Sequence, residues 1–142
     1  MSKTSQSSIT QMLFEGTVDV IAVSCYANER PLQGLAGELD WQVRGQISHY
    51  LRQGALNGQE GEMTYLPIRF KDKSLNVIFY GMGFNHYPRE RTLPHPQTLK
   101  KIEDNLVRLK FKKIGFSKKD LGIEEISEIE SYFQEVTLCL AP

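Results

Sequence analysis

Two glycine-bearing segments of the chain have the residue types and spacing of an anion-binding turn. Gly34 and Gly37 follow a strand-like apolar run and open a helix, where backbone N–H groups without intrahelical partners can face an anion. Gly81 and Gly83 end another apolar run and offer the same chemistry. Turns at the carboxyl ends of parallel strands converge on one cleft. We therefore predict a candidate ligand cleft formed by Asn28, Gly34, Gly37, Gly81 and Gly83.

A structural role accounts for the same glycines without a ligand. In this reading Gly34 supplies a left-handed turn and Gly37 lets the helix approach the sheet. Gly81 and Gly83 then allow a strand end with positive φ angles. Because isolated glycine motifs often match by chance, we favour the structural reading at both turns.

The loop from Phe84 to Pro96 is rich in groups that could hold a charge or a metal. It carries His86, His95 and two arginines, but its one acid is Glu90. A metal site needs three or four ligands on ordered elements, and this spacing fits no such pattern. The sequence favours a solvated surface loop without a metal, and the alternative is a loop that binds an anionic partner.

The serines and cysteines do not form a constellation for nucleophilic catalysis. No histidine and acid stand at a recognisable spacing from Ser24, Ser48 or Ser131. Cys25 and Cys139 lie in separate apolar runs and are interpreted as small buried hydrophobic residues. We therefore predict that the chain is not an enzyme and has no catalytic residue, metal or cofactor.

Composition indicates one globular domain of 142 residues, with 40% apolar and 24% charged residues. Lys+Arg 17 balances Asp+Glu 17, which argues against binding nucleic acid through overall charge. The chain has neither a signal-peptide core nor an apolar run of the roughly 18 residues that a membrane span needs, so we expect a cytoplasmic location without a membrane partner. Residues 1–11 are polar and predict a disordered arm, and residues 12–142 predict a single domain.

The apolar periodicity alternates between strand and helix patterns. It predicts strands over residues 18–23, 62–68, 75–80, 112–117 and 136–140. It predicts helices over residues 35–51, 97–109 and 123–134. Pro67 places the second strand at a sheet edge or a strand end. The order predicts an α/β three-layer sandwich, with a mixed, mostly parallel sheet and helices on both faces.

Four segments resemble the N-terminal domain of the M17 leucyl aminopeptidases, which has a macro-domain-like fold. They are Asp19–Val23, Glu29–Gly34 leading into Leu39-Asp40-Trp41, Leu51–Gly54, and Gly81-Met82-Gly83. The resemblance implies a macro-domain-like sandwich. The chain ends where that family's catalytic domain would begin, so no metal ligand or catalytic residue is carried over. In the family this domain contributes to packing between subunits of a hexamer.

Macro domains, which this fold also resembles, bind ADP-ribose. Their glycine-rich signature follows a strand and an asparagine, and Asn28, Gly34 and Gly37 stand at the comparable place. The family's run of consecutive glycines is missing, because Gln33 and Leu35 flank Gly34. Side chains at those positions would crowd a diphosphate that lies against the backbone.

These observations leave three functional hypotheses. The first is a non-catalytic domain that acts through protein–protein contacts, either as a homo-oligomer or docked to a peptidase-type partner, with Trp41 as the candidate interface residue. The alternative is a module that binds a nucleotide or another small phosphate-bearing ligand at the cleft. The third is a component of a leucyl aminopeptidase.

Overall fold

The computed structural model describes residues 11–12, 15–28, 32–85 and 91–142. The elements run in the order β1 (Val20–Tyr26), α1 (Gly34–Gln42), α2 (Gln46–Arg52), β2 (Met63–Phe70), β3 (Lys73–Gly83), α3 (Pro96–Arg108), β4 (Lys113–Ser117), α4 (Lys118–Leu121), α5 (Ser127–Glu130) and β5 (Thr137–Ala141).

The strands form one five-stranded sheet in the order β2-β3-β1-β4-β5. Strand β1 pairs in parallel with both β3 and β4, and β4 pairs in parallel with β5. Only the β2–β3 pair is antiparallel in this sheet. Strand β1 is buried along its whole length, as its continuous apolar run predicts. Pro67 lies in the edge strand β2, which confirms its predicted position.

Helices cover both faces of the sheet, which confirms the predicted three-layer sandwich. One apolar cluster packs α1 and α2 against alternate residues of β1 and β3, including Leu39, Ile47 and Ile21. The other cluster packs α3 and the segment after β4 on the opposite face, around Ile102 and Phe116. The alternation along β1 follows from the two-residue period of a strand, because successive side chains point to opposite faces.

The prediction of one helix over residues 35–51 is wrong, because the chain breaks between α1 and α2. Arg44 and Gly45 both adopt left-handed conformations there, with φ angles of 59° and 82°. The Gly45 amide donates to the Asp40 carbonyl at 2.9 Å, which closes the C-terminal turn of α1. The Asp40 carboxylate then accepts the amides of Ile47 and Ser48 at 2.8 and 3.1 Å. Asp40 therefore caps α2, where the sequence had placed it in the first turns of a long helix.

The predicted helix over residues 123–134 is also wrong, since only the four residues of α5 are helical there. Gly122 ends α4 in a left-handed conformation, with φ 68°. The Glu128 carboxylate accepts the backbone amides of Glu124 and Glu125. The Glu103 carboxylate on α3 accepts the backbone amides of Gln134 and Glu135. The Glu103 carboxylate takes the Gln134 amide, which a helix over residues 123–134 would bond internally, so the helix does not extend to its predicted end.

Residues 1–10 of the predicted arm lie outside the described residues. Met12 is buried and belongs to the core cluster that contains α1. Cys25 is buried as predicted, whereas Cys139 is half-buried, and neither forms a disulfide. Among the helices described, none is both long and apolar enough to cross a membrane.

Candidate functional site

The candidate site lies where β1 and β3 end. The chain leaves the carboxyl end of β1 for α1, and β1 lies between β3 and β4 in the sheet. In the sheet, β3 lies on one side of β1 and β4 lies on the other. The chain therefore winds in one direction from β1 to β3 and in the opposite direction from β3 to β4, so the direction of winding reverses at β1. Open α/β sheets bind ligands at such a reversal, outside the carboxyl ends of the strands.

Asn28 ties the two strand ends together. Its side-chain oxygen accepts the Asn85 amide at 2.6 Å, and its side-chain nitrogen donates to the Asn85 carbonyl at 2.9 Å. The Ala27 amide also donates to the Gly83 carbonyl at 2.9 Å. Asn28 therefore joins the segment after β1 to the segment after β3 through its carboxamide.

Gly81 and Gly83 contact the loop that precedes β2. Their amides donate to the carbonyls of Glu62 and Gly58 at 2.7 and 2.8 Å. A Cβ atom on Gly81 would stand 1.8 Å from the carbonyl oxygen of Gln59. Gly81 is therefore required for the close approach of that loop, and the amides of both glycines are already used within the protein.

Gly34 brings a cation to the start of α1. It is the first residue of the helix, with φ 60°, and a Cβ atom there would stand 2.6 Å from Nη2 of Arg91. The Arg91 guanidinium also lies over the Tyr26 ring, 4.8 Å from its centre. The arginine is thus held between an aromatic ring of β1 and the backbone of α1, at the positive end of the helix dipole.

Gly37 lies one turn further along α1. A Cβ atom on it would stand 2.6 Å from the Leu32 carbonyl oxygen, and its own amide donates to the Gln33 carbonyl at 3.2 Å. The close approach at Gly37 is to the chain segment that enters the helix, not to the sheet as expected from the sequence.

A buried carboxylate, Asp120 on α4, stands beneath this arrangement and is only 3% exposed. Its two oxygens accept the amide and the hydroxyl of Ser24, each at 2.9 Å. The amide of Leu35, the second residue of α1, acts in the opposite direction to burial on the pKa of Asp120, and the N-cap residue Gln33 provides no side-chain cap. Asp120 therefore lies near the N-terminus of α1, although it belongs to a distant part of the chain.

The electrostatics of this cluster follow from burial. Desolvation raises the pKa of Asp120 above its ordinary value of 3.8, while the hydrogen bonds from Ser24 and the charge of Arg91 oppose that rise. Desolvation, followed by the negative charge of Asp120, raises the pKa of Tyr80 well above its ordinary value of 10.0. Tyr80 is therefore a neutral hydroxyl at physiological pH. The charge of Arg91 therefore already interacts with the buried Asp120 carboxylate beside the start of α1.

Trp41 lies on the outer face of α1, and its side chain is 86% exposed. It borders an open groove of about 590 Å³ that is also lined by Leu32, Gly37, Gly45, Ser48 and the charged residues Asp40 and Arg44. An exposed tryptophan is typical of contact surfaces. The structure thus places Trp41 on the exposed surface of the protein.

The histidine-bearing loop is only partly described. His86, Arg89 and Glu90 lie outside the described residues, so the interpretation of their chemistry stays a prediction. His95 caps α3, because its Nδ1 atom accepts the Gln97 amide at 3.1 Å. The described part of the chain contains no group of three metal-ligating side chains.

Sequence reasoning missed Asp120 and the Tyr80 hydroxyl. One local signal was present, because Ser117-x-x-Asp120 has the spacing of a capping box, and the Ser117 hydroxyl does accept the Asp120 amide at 3.4 Å. The contact with Ser24 spans 96 residues of sequence and carries no local signal.

The sequence has no match among protein-family models, and no curated protein matches it with significance. Solved structures do match. The macrodomain of Mycobacterium tuberculosis DarG superposes with a TM-score of 0.65 at 12% identity, covering 100% of this chain and 99% of that one. The macrodomain of Thermus aquaticus DarG gives a TM-score of 0.66 at 11% identity, covering 100% and 98%.

A tomato leucine aminopeptidase variant also matches, with a TM-score of 0.60 at 12% identity. The match covers 98% of this chain and 32% of the aminopeptidase, so the chain spans about a third of that protein's length. At these identities the likeness shows the fold alone. The chain has a macro-domain-like fold, as the sequence resemblance implied.

Proposed function

We propose that this domain binds a small phosphate-bearing ligand, such as a nucleotide, at the ends of β1 and β3. The observation that carries the proposal is the guanidinium of Arg91, held against Gly34 at the start of α1 and over the Tyr26 ring. A fixed cation at a helix N-terminus favours an anion electrostatically, and guanidinium matches phosphate geometry.

The likeness to macrodomains over the whole chain supports this proposal more than it supports the protein-contact hypothesis. The mode of binding would differ from a glycine-rich phosphate loop. The amides of Gly81 and Gly83 are bonded within the protein, and the Asp120 carboxylate lies near the start of α1. We therefore assign the charge recognition to the side chain of Arg91.

Calorimetric titration with ADP-ribose tests the proposal. Wild-type protein should give saturable heat, and Arg91→Gln should weaken binding by about 10- to 100-fold, since a charge-assisted hydrogen bond contributes about 1.5–3 kcal/mol. Arg52→Gln, at an exposed arginine at the end of α2, is the matched control and should bind as wild type does.

A glycine pair gives an independent test of the position of Arg91. Gly34→Ala keeps Arg91 in the sequence, but the new methyl group should displace the Arg91 guanidinium and weaken binding. Gly54→Ala introduces a Cβ at a similar positive φ of 79° with no neighbour within 4 Å, so it should cost similar stability and leave affinity unchanged. Wild-type protein that is folded and binds no ADP-ribose at millimolar concentration would refute the proposal, as would variants that bind equally well.

A second candidate function rests on Trp41. We propose that its exposed side chain supports self-association, the role that the resemblance to the M17 N-terminal domain implies. Light scattering should show a concentration-dependent rise in mass that Trp41→Ser abolishes. Val107→Ser, at an exposed apolar residue of α3, should leave the mass unchanged. A monomer at all concentrations would exclude this candidate.

A further inference from the structure

A second charged site lies at the opposite end of the sheet from the Arg91 cleft. Here the break between α1 and α2 meets the β2–β3 hairpin, enclosing an open pocket of about 450 Å³ that we name the basic pocket. The described residues that line it include three cations, Arg44, Arg69 and Lys71, and no acid. The other lining residues are Gln42, Val43, Gln46 and Phe70. The nearest acid in sequence, Asp72, follows Lys71 in the hairpin turn.

The frame of the basic pocket is fixed by one carboxamide. The Gln46 side chain accepts the Arg69 amide at 3.1 Å and donates to the Arg69 carbonyl at 2.5 Å. It also donates to the Val43 carbonyl at 3.0 Å, so it links the end of β2 to the end of α1. The Lys71 amine lies over the Phe70 ring, 5.5 Å from its centre. Gln46 therefore fixes the backbone of Arg69 and that of Val43, the residue before Arg44.

Two of the three cations stand where the backbone favours glycine. Arg44 and Lys71 have φ angles of 59° and 57°, in the left-handed region that L-residues adopt at a cost. Three like charges around one pocket also repel one another. A cation just beyond α1 does interact favourably with the helix dipole, and a lysine protects an edge strand. Those local roles do not require the cations to share a pocket.

We propose that the basic pocket binds a pyrophosphate group or a comparably compact, multiply charged phosphate. One guanidinium group can donate two parallel hydrogen bonds to two phosphate oxygens, and a lysine adds a compact point charge. The three cations would offset the charge of such a group, and Phe70 would exclude water from one side. This site is separate from the Arg91 cleft and does not depend on it.

Glycine substitutions separate the charge from the fold. Arg44→Gly and Lys71→Gly remove a cation while fitting the existing backbone, so each variant should remain folded. The matched control is Lys110→Gly, since Lys110 is also a cation just beyond a helix, has φ 65°, and does not line the basic pocket.

The test is a titration of the full chain with inorganic pyrophosphate at low ionic strength, followed by amide NMR shifts and calorimetry. We expect saturable shifts at Arg44, Gly45 and Lys71, and a loss of affinity of about tenfold in each pocket variant, with Lys110→Gly unchanged. Three results would overturn the proposal: no shifts at millimolar pyrophosphate, shifts confined to the Arg91 cleft, or an equal loss in Lys110→Gly, which would indicate general surface charge.

Discussion

Removal of the buried Asp120 carboxylate should lower the free energy of unfolding by a large amount for so small a side chain. Asp120→Ala would remove the acceptor of the Ser24 amide and of the Ser24 hydroxyl, both at a site that is 3% exposed. Each buried donor left without a partner costs about 1–3 kcal/mol. Relief from burying the charge offsets part of this sum. We expect a loss of about 2–4 kcal/mol in the free energy of unfolding, which is the cost of the two unpaired Ser24 donors less that relief.

Urea unfolding followed by circular dichroism measures this loss. Asp104→Ala, at an exposed aspartate of α3, is the control and should change the free energy of unfolding by less than about 0.5 kcal/mol. Because a domain of this size has only about 5–15 kcal/mol of stability, Asp120→Ala could fail to fold. Ser24→Ala then serves instead, since it removes one hydroxyl bond and should cost about 1–2 kcal/mol. A loss below about 1 kcal/mol for Asp120→Ala would refute the stabilising role of the bonds between Asp120 and Ser24.

Three further outcomes follow from the same contacts. Gly81→Ala should destabilise the domain by about 1–3 kcal/mol in thermal unfolding, because the new Cβ would meet the Gln59 carbonyl oxygen; wild-type stability would contradict the close approach. Arg44→Gly and Lys71→Gly should leave the free energy of unfolding unchanged or raise it by up to about 1 kcal/mol, since they relieve left-handed strain; a clear loss would show that the side chains support the fold. Relative to Asp120→Asn, wild-type protein should lose stability as pH rises from about 3.8 through the raised pKa of Asp120, because the folded state holds the proton more tightly there; urea unfolding across that range showing no pH-dependent difference would contradict the raised pKa.

β1 and β3 could be predicted because each contains a local apolar run. The run through Val20 to Tyr26 is buried on both faces. A strand with one face in water would instead alternate apolar and polar residues. The edge position of β2 was likewise readable from Pro67, whose missing N–H excludes it from a central strand.

The helices were predicted less well, because carboxylates elsewhere in the chain decide where they end. Asp40 caps α2 from the preceding helix, and Glu103 takes the amides of Gln134 and Glu135 from across 31 and 32 residues. An apolar period of four continues through Val43, so it does not register the break at Gly45. Such breaks depend on tertiary acceptors that periodicity does not report.

The positions of the candidate glycines in the fold could be read from the sequence. Gly34 and Gly37 follow β1, and Gly81 and Gly83 end β3, as their places after two apolar runs indicated. The roles of the individual residues depended on contacts that are distant in sequence, above all Gly34 with Arg91 and Ser24 with Asp120. Whether the cleft binds a ligand stays a prediction that the fold alone does not decide.

The measurement that tests the central proposal most directly is an amide NMR titration of wild-type protein with ADP-ribose. The proposal predicts saturable shifts that cluster at Gly34, Leu35 and Arg91, and that disappear in Arg91→Gln at the same ligand concentration. A spectrum that does not change at millimolar ADP-ribose, or shifts confined to Trp41 and the basic pocket, would contradict it.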